Sequence, residues 1–197
     1  MRTIIIIVIA LIVILIILYI NLIGMTDKRE PKIVKLDEPI KLIGLDIQTN
    51  DTAIYRDVAR VYEEFTEKKK KKKKKKKNPI PNLKQPWASI NISKDYNPAT
   101  KIFTYIVGDV VTKVDSIPKR LKYFEAPAIT YAVFRIKPKS KFAWGITMGR
   151  MKRYIYTEWL PQSGYTTSAI IGDFELHDDR SLGKNPEISL YVGLNEK

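Results

Sequence analysis

The chain of 197 residues contains no cysteine. That excludes disulfides, thiolate metal sites, a cysteine nucleophile and a lipidated N-terminal cysteine. Histidine is almost absent: His177 stands alone. A Ser-His-Asp triad or a multi-histidine metal centre is therefore a poor reading, and neither a metal nor a cofactor is expected. Any chemistry must rest on carboxylates, tyrosines or backbone groups. Dispersed positive charge is lacking as well. The net charge is +14, but setting aside the ten lysines of the unbroken run Lys68–Lys77 leaves only +4. The basic balance is one tract, so it carries no nucleic-acid argument, and the tract has no interleaved aromatics or glycines. What is present is apolar: 45% of the chain is hydrophobic and 10% aromatic, too much for a disordered polypeptide.

The apolar residues are concentrated first in Ile4 to Ile23, a stretch with no charge, one Asn (Asn21) and one Tyr (Tyr19). Twenty helical residues span about 30 Å, the thickness of a bilayer's hydrocarbon core. The exit, Asn21-Leu22-Ile23-Gly24-Met25-Thr26, has no small-x-small cleavage pair, which favours a retained single-pass anchor over a signal peptide. Lys28, Arg29, Lys32 and Lys35 follow the span against Arg2 before it, which favours a cytoplasmic domain. The expected organisation is an anchor over 1–25, a juxtamembrane linker over 26–39 and one domain over 40–197, interrupted by the lysine run at 68–77.

Within that domain one order of patterns occurs twice. Lys41 to Thr49 alternates as a strand, and residues 52–67 place Ile54, Val58, Val61, Tyr62 and Phe65 at helical spacing after Asn50 and Asp51. Trp87 to Ser93 and Ile102 to Val111 then read as strands. Ile129 to Ile136 opens a second round, followed by a helix over Lys141 to Leu160 and strands at Ile171 to His177 and Ile188 to Val192. Two strand-helix-strand-strand units predict an α+β domain, an antiparallel sheet with two helices on one face.

Three stretches carry a family resemblance: Tyr156-Thr-Glu-Trp-Leu-Pro-Gln-Ser-Gly-Tyr165, Asp173-Phe-Glu-Leu-His-Asp178 and Glu187-Ile-Ser-Leu-Tyr191. Together they resemble the GyrI-like small-molecule-binding family, the effector-binding domain also found in AraC-type and MerR-type regulators. Ile43-Gly-Leu45, Tyr105-Ile-Val-Gly108 and Pro127-Ala-Ile-Thr-Tyr-Ala-Val133 are similar to its other strands. The resemblance covers residues 40–194 and implies two βαββ repeats about a pseudo-twofold axis, with an aromatic-lined cleft between the halves. It implies a cleft carboxylate from an aromatic-Glu pair, here Phe174-Glu175, with Glu187 as a second candidate. The chain has no helix-turn-helix segment, so the resemblance does not extend to DNA binding.

Glu175 with walls from Phe174, Tyr105, Tyr131, Trp144 and Tyr156 suits an amphipathic, cationic or aromatic small molecule, because ring faces and a carboxylate both attract cations. The resemblance also implies a rival, a hydrolase of reactive small molecules with Glu175 as general base. A third reading is a docking module, with Lys68–Lys77 contacting anionic lipid at about 1 kcal/mol per lysine. From pattern alone Glu175 and His177 read as surface strand residues, Trp159 and Tyr165 as packing residues, and Glu158 as a solvated helix residue.

Overall fold

A computed structural model describes residues 2–23, 30–69, 79–138 and 143–197. The first helix, α1, is Arg2–Ile23. Its described side chains, Ile4 to Tyr19, are roughly half exposed or more, apolar groups with no protein against most of their surface. Among the described residues no helix is long and apolar enough to cross a membrane. The expected anchor is thus not shown. Lys70 to Lys77 of the lysine run lie outside the described residues, whereas Lys68 and Lys69 form the end of a helix.

The remainder is a mixed α+β structure built on one nine-stranded antiparallel sheet. In chain order its strands are β1 (Lys32–Lys35), β2 (Ile40–Asn50), β3 (Ala88–Lys94), β4 (Ile102–Val110), β5 (Lys122–Ala126), β6 (Thr130–Ile136), β7 (Tyr165–Thr167), β8 (Asp173–Asp178) and β9 (Ile188–Glu196). They lie in the order β1-β6-β9-β8-β3-β4-β2-β5, with β7 paired to β9. β3 and β8 form the centre and pair antiparallel, Asn91 opposite Glu175. β1 falls inside the stretch expected to be a linker, and β5 and β7 also lay outside the expected strands. Each has five residues or fewer and forms by pairing on a neighbour, with too little length for a period-2 signal of its own.

Two longer helices pack on the sheet. α2 is Ile54–Lys69. The Asn50 side chain accepts from the backbone N–H groups of Thr52 and Ala53 at 3.0 and 2.9 Å, closing the turn that starts it. Its apolar stripe sets Val61 and Phe65 against Ile43, Leu45 and Val107. α3 is Trp144–Tyr154 and continues through a π-helical stretch, Ile155–Trp159, into a last turn at Leu160–Gln162. Met148, Met151, Ile155 and Leu160 bury against Phe134, Leu190 and Val192. Trp159 meets Phe134 edge-on at 5.2 Å, a packing role. Both helices cover the same face, because the residues they pack on alternate with a different apolar set. That other set, Leu42, Ile90, Ile92, Ile106, Tyr131 and Phe174, forms its own cluster on the far face.

β2 and β4 cross closely at Gly44 opposite Gly108. A Cβ on Gly44 would lie 1.9 Å from the Val107 carbonyl oxygen, so only glycine fits there.

Candidate functional site

Between α2 and α3 the sheet is not apolar. The two central strands present Ser89 and Asn91 from β3, and Asp173, Glu175 and His177 from β8, to the helix side. Asp109 of β4 lies opposite Ser89. These side chains are all but covered: Asn91 is 2% exposed, Asp109 1%, Asp173 5% and Glu175 8%. Buried polar groups of this kind are stable only when partnered.

Lys152 of α3 supplies the main partner. Its ammonium lies 2.8 Å from Asp173 Oδ1 and 3.6 Å from Glu175 Oε1. Tyr156, one turn further on, donates to Asp173 Oδ2 at 2.9 Å. Asn91 donates to Glu175 Oε2 at 3.4 Å, and His177 Nε2 lies at the same distance from that oxygen. From α2, Tyr62 donates to Asn91 Oδ1 at 2.7 Å. Burial opposes the charge of Glu175, but the hydrogen bond from His177 and the charge of Lys152 outweigh it, and the carboxyl is held below its ordinary value. Burial likewise opposes the charge of Lys152, yet the two carboxylates beside it push its value up. Tyr62, Tyr105 and Tyr156 are all driven up, first by burial and then by neighbouring carboxylates, so their hydroxyls stay protonated and act as donors.

Two cavities flank this network. One, of about 440 Å³, is bounded by Tyr62, Phe65, Lys69, Trp87, Asp109, Trp144 and His177. The other, of about 700 Å³, is bounded by Tyr96, Phe103, Lys152, Tyr156 and Asp173 among others. Glu175 bounds neither cavity; on β8 it sits between Asp173, which bounds the larger, and His177, which bounds the smaller.

Of the residues expected at the site, Glu175, Tyr105, Trp144 and Tyr156 share the helix-side face. Trp144 reaches His177, its ring centroid 5.9 Å away. Phe174 and Tyr131 are on the other face. Phe174 stacks on Tyr191 at 4.5 Å and meets Tyr131 edge-on at 5.2 Å, both rings fully buried. Strand alternation is the reason: neighbours in β8 point to opposite faces, so Phe174 and Glu175 do not share a cavity. Glu187 is also elsewhere, ringed by Lys137, Arg180 and Arg135 at 2.8, 3.2 and 3.4 Å. His177, read from pattern as a surface residue, is instead a partner of Glu175 and Asn91.

Lys152, Asp173, Asn91, Tyr62 and Asp109 were not foreseen. Two signals existed. Asp173, Glu175 and His177 alternate on one strand, and Lys152 and Tyr156 are four apart on one helix. Asn91 and Asp109 had no local signal.

Fold and site define a class: an α+β domain with a polar-floored cleft between two helices on one face of an antiparallel sheet. The sequence profile of Cass2, the integron-associated effector binding protein family, matches residues 32–194, and the chain belongs to that family. Among solved structures, similar folds include the integron cassette protein VCH_CASS2 from the mobile metagenome of Vibrio cholerae. It is 10% identical, with a TM-score of 0.57 over 85% of this chain and 97% of the other. SAV2435, solved bound to tetraphenylphosphonium, is 12% identical, with a TM-score of 0.57 over 85% of this chain and 94% of its own. The C-terminal domain of EcmrR is 13% identical, with a TM-score of 0.56 over 88% of this chain and 99% of its own. No curated protein matches the sequence.

Proposed function

We propose that this chain binds an amphipathic organic cation in the cleft between α2 and α3, with Glu175 supplying charge and Tyr62, Tyr105, Trp144 and Tyr156 supplying aromatic walls. The observation that carries the reading is the buried acid between the two cavities. Asp109, Asp173 and Glu175 face two described ammonium groups, Lys69 and Lys152, and with the His177 imidazole neutral one carboxylate charge is left unmatched. A cation entering beside Glu175 restores that balance in a low-dielectric site, where charge pairing is strong. The cation bound by SAV2435 is of the expected class. The sheet order, with β6-β9-β8 meeting β3-β4-β2, supports the view that two similar halves create the cleft at their seam.

Binding is favoured over hydrolysis. A general base works best with a value near neutral pH, and a carboxyl held below its ordinary value is a weak one. The two cavities favour a ligand-filled cleft over a module that merely docks lipid. α1 adds a membrane anchor to the reading. Its described side chains are aliphatic except Tyr19 and stand exposed, which is the surface a bilayer would cover. Lys68–Lys77 would then favour an anionic leaflet.

The test is titration of the full chain, in a neutral detergent, with tetraphenylphosphonium, followed by tryptophan fluorescence. Saturable binding is expected, with Glu175→Gln weakening it about tenfold, the scale of one lost charge contact. Unchanged affinity in that variant would remove Glu175 from the account.

A further inference from the structure

The smaller cavity holds a carboxylate with an unusual environment. Asp109 is 1% exposed, and its Oδ1 has no hydrogen-bond partner among the described residues. The nearest hydroxyl on the paired strand, that of Ser89, donates instead to the Gly108 carbonyl at 2.8 Å. Oδ2 accepts from Lys69 Nζ at 3.0 Å. The same ammonium stands 4.2 Å above the centre of the Phe65 ring. An ammonium, an aromatic face and a buried carboxylate thus already form a recognition unit at the wall of a cavity of about 440 Å³ that Trp87 and Trp144 help to line. Only one of the two carboxylate oxygens is used. Leaving a buried charged acceptor unsatisfied is costly, and an N–H donor in the cavity would remove that cost.

We propose that this end of the cleft is a separate site for a protonated amine, and that Lys69 is its resident occupant. The incoming ammonium donates to Asp109, its apolar body lies against Trp87 and Trp144, and Lys69 withdraws toward solvent. Lys69 can do so because its side chain is already 24% exposed, whereas that of Asp109 is 1% exposed. The site asks for N–H donors, so it prefers primary amines to a phosphonium, which has none. The proposal rests on the cleft being a small-molecule site, but it names a different carboxylate, ligand class and competitor.

The experiment uses the full chain in neutral detergent and the intrinsic fluorescence of Trp87 and Trp144. The probes are phenethylammonium, its uncharged counterpart 2-phenylethanol, and tetraphenylphosphonium. Phenethylammonium is expected to bind more tightly than the alcohol. Lys69→Met should tighten it about tenfold and Asp109→Asn should weaken it about tenfold, the scale of one charge-assisted hydrogen bond, with tetraphenylphosphonium shifting less in both. If Asp109→Asn does not fold cooperatively, Lys69→Met and the alcohol carry the test. The proposal is overturned if phenethylammonium affinity is unchanged by Lys69→Met, or if it follows Glu175→Gln and not Asp109→Asn. Saturable tetraphenylphosphonium binding alongside that result would spare the wider reading of the cleft. If neither cation binds, both fall.

Discussion

Lys152 is the residue on which the polar floor depends. It is the one described lysine placed against both Asp173 and Glu175, and truncating it strands two buried carboxylates. Lys152→Met should destabilise the domain by about 3 kcal/mol at neutral pH, the low end for removing one partner of a buried ion pair. The pH dependence has a definite sign. Glu175 is held below its unfolded value, so its contribution is present above about pH 4.3 and is lost as pH falls through the folded value. Lys152 is raised, so its contribution is full below about pH 10.4 and is lost as pH rises through the folded value. Near-UV circular dichroism melts of the full chain should therefore show a plateau between these limits. In Lys152→Met the acid-side loss due to Glu175 should shrink or reverse, because the carboxyl keeps its burial, loses its cation and takes up its proton at higher pH in the folded state. Identical melting of variant and parent at pH 7 would show that Lys152 is not the counter-ion. The aromatic-Glu pair singled out Glu175 in the sequence, and the structure buries it. Its partners were not legible, because Asn91 and Lys152 come to it only through strand pairing and helix packing.

β8 shows what alternation does at the level of an element. Its odd-numbered side chains, Asp173, Glu175 and His177, face the helices, while Phe174 and Leu176 face the opposite cluster. A motif that reads as one unit in sequence is split between two environments. Phe174→Leu should consequently lower thermal stability by about 1–2 kcal/mol through imperfect filling. Tetraphenylphosphonium affinity should stay within about twofold of the parent. A large loss of affinity with unchanged stability would put Phe174 in the ligand site after all. The expected α2, α3, β2, β3, β4, β6, β8 and β9 all formed, each having an amphipathic period long enough to read. The π-helical stretch Ile155–Trp159 was not legible. It arises where α3 must set Ile155 into the core and Tyr156 against Asp173 at once.

At the scale of the whole molecule, α1 reaches the domain through Tyr19. Arg150 of α3 donates to the Tyr19 hydroxyl at 3.4 Å, so the helix end and the cleft-forming helix are neighbours. If α1 anchors the chain, the full protein should pellet with membranes, and a version lacking residues 2–23 should stay in the supernatant with its affinity for tetraphenylphosphonium intact. Full-length chain in the supernatant would count against the anchor. By itself the sequence determined the α+β class and the order of the main elements, since hydrophobic period is a local property. Tertiary structure alone decided that the acid is countered by a lysine from a helix packed over its strand, and that Phe174 and Tyr131 belong to the far core. It also decided that a second carboxylate, Asp109, closes the other end of the cleft. Those outcomes depend on which strands become neighbours, and a one-dimensional pattern does not record that.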